Sequence, residues 1–125
     1  MRLALTVLLM LATTVACAEW VRINETDTGV IYVDPTTIRK DGDLRTVWGL
    51  TNLKTRDSAG ELSRRRLDEY DCKQERYRIV SISTHSEAMA MGRILTRDSD
   101  SSEWQYAAPG SVAGDLLGFV CARGK

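Results

Sequence analysis

Leu44-Arg45-Thr46-Val47-Trp48-Gly49-Leu50-Thr51-Asn52-Leu53 is the stretch that decides the fold. Successive side chains of an extended strand point to opposite faces, so Leu44, Thr46, Trp48 and Leu50 share one face while Val47, Thr51 and Leu53 lie on the other. Asp41-Gly42 turns the chain into this segment, and Arg56-Asp57-Ser58-Ala59-Gly60 reverses it afterwards. Leu62 to Lys73 then returns as a polar strand. Tyr77 to Ser86 follows through Gln74-Glu75-Arg76, with Ile79 expected on one face and Val80 and Ile82 on the other.

Outward from this pair the chain stays strand-like. Trp20 to Ile23 alternates, and Asp27-Thr28-Gly29 connects it, hairpin fashion, to Val30-Ile31-Tyr32-Val33. Asp34-Pro35-Thr36-Thr37-Ile38 fits one helical turn, with Asp34 capping and Pro35 at the first helical position. Met89-Ala90-Met91-Gly92 reads as an irregular loop before the strand Arg93 to Thr96, and Asp98 to Glu103 as a hairpin loop. Near the C-terminus the period changes. Pro109-Gly110-Ser111 is a helix start signal with Ser111 as N-cap and Asp115 in the first turn. Val112, Leu116 and Val120 form one apolar stripe, and Ala113, Leu117 and Cys121 the stripe beside it. The expected class is α+β: an antiparallel sheet of about six strands with one C-terminal helix packed on it.

The first eighteen residues stand apart from that domain. Arg2 is a short positive region, Leu3 to Val15 is apolar apart from three threonines, and Ala16-Cys17-Ala18 suits a signal peptidase. The reading is a signal peptide over 1–18 and a single domain over 19–125. Thr14-Val15-Ala16-Cys17 also resembles a loose lipobox, which makes Cys17 a candidate lipidation site, although Thr14 replaces the usual leucine. The apolar stretch is too short for a stable transmembrane helix, and none later approaches eighteen residues. Export makes the remaining even pair, Cys72 and Cys121, a disulfide, tying the helix to the strand that carries Cys72. Mature-chain charge is near neutral, with sixteen basic residues against seventeen acidic once Arg2 is removed. A nucleic-acid binder normally carries a basic excess, which is missing.

Searching for chemistry returns near misses. Gly110-Ser111-Val112-Ala113-Gly114 has its serine one place too early for a nucleophile elbow, and Ser111 serves better as a cap. His85 is the sole histidine, so it reads as hydrogen-bonded structure and no His-rich metal site can form. Asp98-Ser99-Asp100 lacks the glycine and spacing of a calcium loop, and no phosphate-cradling glycine motif occurs. The expectation is no catalytic residue, cofactor or metal. Arginine is abundant, 13 against 4 lysines, densest at Arg64-Arg65-Arg66. Alternation puts two of these three on one face and one on the other, in a segment that Asp68, Glu69 and Asp71 neutralise. Trp20, Trp48 and Trp104 sit in strand-like contexts, where core packing is the ordinary use. One helix covers one sheet face, so the opposite face is polar or meets a partner. Arg64, Arg66 and Trp48 are the candidate partner-binding residues.

Three segments together resemble the surface-adhesin protein E family of bacterial exported proteins: Tyr32 to Trp48, Glu69 to Ile79, and Ala108 to Val112 leading to Cys121. The resemblance spans residues 19 to 122. It implies a six-stranded antiparallel sheet with a disulfide-tied helix, a surface adhesin for host matrix or serum proteins, and a tendency to form homodimers. The competing expectation is a periplasmic or envelope accessory protein without a host ligand.

Overall fold

Val47 and Trp48 point to opposite sides of one long strand, and the fold follows from which side the helix takes. The computed structural model describes residues 18–123. Apart from Ala18, the expected signal segment and Cys17 lie outside the described residues. The chain forms β1 (Val21–Glu25), β2 (Gly29–Val33), β3 (Arg39–Asp41), β4 (Leu44–Leu53), β5 (Ser63–Asp71), β6 (Arg76–His85), β7 (Ile94–Asp98), β8 (Gln105–Tyr106) and α1 (Val112–Arg123). Six strands run in the order β1-β2-β4-β5-β6-β7, every neighbour antiparallel, while β3 pairs with β4 and β8 with β6. The expected architecture is present, with two short strands added. Turn chemistry is as the residues dictate: Pro35–Thr37 is a single 3-10 turn capped by Asp34, whose Oδ1 accepts from the Thr36 N–H at 3.0 Å. Gly42 supplies the left-handed φ of +58° that the β3–β4 hairpin requires.

Two details depart from the sequence reading. The loop after β7 is not a hairpin, because β7 and β8 both pair with β6 and lie one after the other along the same edge. Ser102 fills the gap between them, donating its N–H to the Ile79 carbonyl at 2.8 Å and accepting the Ile79 N–H at 2.9 Å. The second departure is a β-bulge in β6: Leu67 faces Ser81 while Asp68 faces Ile79, so Val80 is the extra residue. Period-two counting across Val80 fails for that reason, and Ile79 and Ile82 both lie on the face of Asp68 and Arg66.

Helix α1 takes the Val47 side. Val33, Val47 and Tyr70 form the core with Leu116 and Val120, the last of these fully enclosed. The stripe expected from the sequence is the one buried. Ser111 caps the helix as read, its Oγ accepting the Gly114 N–H at 3.0 Å. Gly114 has a packing reason as well, since a Cβ there would collide with the Ala108 carbonyl. Cys121 meets Cys72 in a disulfide with Cα atoms 5.8 Å apart, joining the helix to the end of β5.

Candidate partner-binding face

With α1 on the Val47 side, β4 presents Trp48 to the opposite, helix-free side, and strand register carries the remaining residues there with it. Trp48 faces Leu67 across the β4–β5 ladder, so Arg65, Leu67, Glu69 and Asp71 share its side, as do Arg76, Arg78, Ser83 and His85 of β6. This sorts the arginine triplet. Arg65 stands on the helix-free face, its guanidinium 4.2 Å from the Trp48 ring centroid. Arg64 and Arg66 lie on the side that carries the helix, so the three sequence candidates do not share a face.

Both of the others are bound to carboxylates. Arg64 donates to Glu61 at 2.8 Å and to Asp57 at 3.3 Å. Arg66 donates to Asp68 at 2.8 Å, and Asp68 is only 3% exposed. Burial pushes the Asp68 carboxyl above the usual carboxylate range, against the pull of Arg66 and the hydrogen bond from Tyr70. This is a structural pair beneath the edge of the helix.

The tryptophans correct the expectation of core packing. None belongs to the buried core, and all three are half-buried on the helix-free side. For Trp48 the physical reason is alternation: Val47 takes the core position, so Trp48 cannot. Trp20 and Trp48 line one hollow with Arg65, while Trp104 lies beneath Arg76 and Arg78, whose guanidinium carbons are 4.5 and 4.7 Å from its centroid. Arg78 is also paired with Glu69 at 2.8 Å and Arg76 with Asp71 at 3.1 Å. Hydrogen bonds from the Gln74 N–H and from Arg76 hold the Asp71 carboxyl below the ordinary carboxylate range.

Trp48 is the hub of this face. Three hollows of about 400, 320 and 280 Å³ each count it in their walls. The turn Ala88–Ala90 partly roofs the same face, with Met89 and Ala90 at φ +59° and +57°. Two buried or half-buried side chains hold that left-handed geometry. Asn52 exchanges two hydrogen bonds with Met89, accepting its N–H at 2.8 Å and donating to its sulfur at 2.9 Å. Ser63 accepts the Ala90 N–H at 2.9 Å and donates to the Glu87 carbonyl at 2.6 Å. Among the described residues no group of three or more acidic, histidine or cysteine side chains could hold a metal ion. No described helix is long and apolar enough to cross a membrane.

The sequence profile of the family described as surface-adhesin protein E matches residues 20–122. A search of curated proteins gives no match. The selenomethionine form of Haemophilus influenzae protein E superposes with a TM-score of 0.67 at 16% identity, covering 90% of this chain and 93% of that one. A second crystal form of the same protein gives 0.62 at 14% identity, covering 88% of this chain and all of the other. At such identities the structural likeness establishes the fold.

Proposed function

This chain belongs to the surface-adhesin protein E family, and from that premise we propose that it is a non-catalytic exported binding module whose helix-free face recognises a host matrix or serum protein. The observation that carries the reading is the placement of all three tryptophans, half-buried and mostly in contact with arginine, on the one face that no helix covers. Tryptophan and arginine are the residue types that dominate protein-binding hot spots, and both are enriched in interfaces. Trp48, touched by three hollows, is the anchor.

Location is the first test, because an adhesin has to be reachable. Protease or antibody added to intact cells is expected to reach the protein; complete shielding until the envelope is opened would identify the periplasmic accessory role instead. Binding to immobilised matrix proteins should then weaken as salt is raised. Trp48→Ala is expected to lower affinity about thirtyfold, the scale of a ~2 kcal/mol hot spot.

The homodimer belongs to the same proposal. The outer edges of β1 and β7 carry unpaired backbone groups, with Val21 and Ile94 exposed beside them, and an open strand edge is a template for a second copy. Light scattering at micromolar concentration should return twice the monomer mass. A monomer mass there would remove this part of the proposal.

A further inference from the structure

We propose that the hollow between β5, β6 and β7 is a carboxylate socket, in which Arg65 and Arg97 grip an aspartate or glutamate side chain of the bound protein. The inference rests on the reading of the helix-free face as the binding face. The hollow has a volume of about 320 Å³, and its walls include Trp48, Arg65, Ser83, His85, Ile94 and Arg97.

Among the described residues, charge bookkeeping on this face leaves Arg39, Arg65 and Arg97 without a carboxylate, and of these Arg65 and Arg97 share one hollow. Arg76 and Arg78 are already paired with Asp71 and Glu69. Arg65 and Arg97, by contrast, take part in no ion pair among the described residues. Asp98 is the acidic residue in the lining, but its register partner is Ile82, so its side chain belongs to the opposite face, and its Oδ1 accepts the Asp100 N–H at 2.9 Å. Contact with the Trp48 ring holds the Arg65 guanidinium at the hollow, and a guanidinium is the group that takes a carboxylate in bidentate fashion.

His85 stands on the same wall, two residues along β6 from the Ser83 that lies between the two arginines in register. It is 4% exposed, its Nε2 is 2.8 Å from Ser83 Oγ, and its Nδ1 has no hydrogen-bond partner among the described residues. Burial and the neighbouring charges of Arg65 and Arg97 lower its pKa, so the ring stays neutral at pH 7 and adds no competing charge. Two cations without an anionic partner on one hollow, with a neutral ring beside them, are the arrangement of a site that an anionic ligand completes. Trp48 and Ile94 give the hollow apolar wall, which suits the methylene stem of an acidic side chain better than a bare inorganic anion.

The test uses the mature protein and a blocked hexapeptide of alternating aspartate and glutamate, with its asparagine–glutamine counterpart and inorganic phosphate as controls. Titration followed by NMR is expected to move the Trp48 indole and His85 ring signals with the acidic peptide and not with the amide peptide. Arg97→Gln should weaken acidic-peptide affinity tenfold or more, while Arg39→Gln, in the neighbouring hollow, should leave it within twofold. A native circular dichroism spectrum for both variants keeps the comparison fair. Equal binding of the amide peptide, tighter binding of phosphate than of the acidic peptide, or no signal shift at all would each overturn the socket. None of those three results touches surface exposure on intact cells, so the broader binding role would fail or stand by its own experiment.

Discussion

Replacing Cys121 with serine is expected to lower stability by about 4 kcal/mol, the chain-entropy value for a bridge spanning 49 positions. For a domain of this size that corresponds to a fall of about 15–20 °C in the thermal midpoint. The effect is large because the domain is small and its margin modest: such chains bury only about two-thirds of their unfolded surface. The bridge also acts where the core depends on it, since Leu116 and Val120 reach Val33, Val47 and Tyr70 from the helix that Cys121 anchors. Differential scanning calorimetry of the variant, and of the unaltered protein under reductant, should give the same lowered midpoint. Coincident melting curves for the oxidised protein and the serine variant would show that the helix holds without its covalent tie.

Arg66→Ala is expected to be nearly as damaging, costing about 3–5 kcal/mol, because it strands the buried Asp68 carboxylate without its cation. Substituting both partners by apolar residues, Arg66→Met with Asp68→Leu, should recover most of that loss, since a buried ion pair is rarely better than packed hydrocarbon. The pH dependence has a definite sign. Without Arg66 the folded pKa of Asp68 stands further above its unfolded value, so the folded state binds the proton more tightly. The penalty is therefore full at neutral pH and shrinks as pH falls through the carboxyl range. Chemical denaturation at pH 7 and pH 5 measures this, and an equal loss at both values would remove the buried-charge account. For binding studies the consequence is practical: weakened adhesion in an Arg66 variant would report on folding, whereas Trp48 and Arg65 report on the face itself.

Most of the framework was readable from local rules. Alternation over Leu44–Leu53, the Asp34-Pro35 and Asp41-Gly42 turns, and the Val112-Leu116-Val120 stripe each depend on residues close in sequence. The strands Arg39–Asp41 and Gln105–Tyr106 were missed because three or two residues leave no period to detect; only pairing with a long neighbour defines them. The bulge at Val80 was invisible for a related reason, since an extra residue in one strand is a property of the pair. The binding face was half legible. Alternation separates Arg65 from Arg64 and Arg66, yet it does not say which side the helix will take. That choice, made by Val47 and the helix stripe together, is what moved the tryptophans out of the core and Arg65 into their company.

The hydrogen bond from the Glu19 N–H to Asp34 Oδ2, at 3.1 Å, holds Glu19 beside the Trp48 hub, where Ala18 lines the hollow of Trp20 and Arg65. A residue of extended chain spans at most about 3.6 Å, so the backbone from position 17 to position 19 reaches at most about 7 Å. An acyl anchor at Cys17 would therefore press the tryptophan face toward the lipid headgroups, leaving the helix-bearing side turned outward. Cleavage after Ala18 would instead leave the face without a tether. Which N-terminal bond is cut would thus decide the orientation of the domain, and with it the surface that an approaching macromolecule meets.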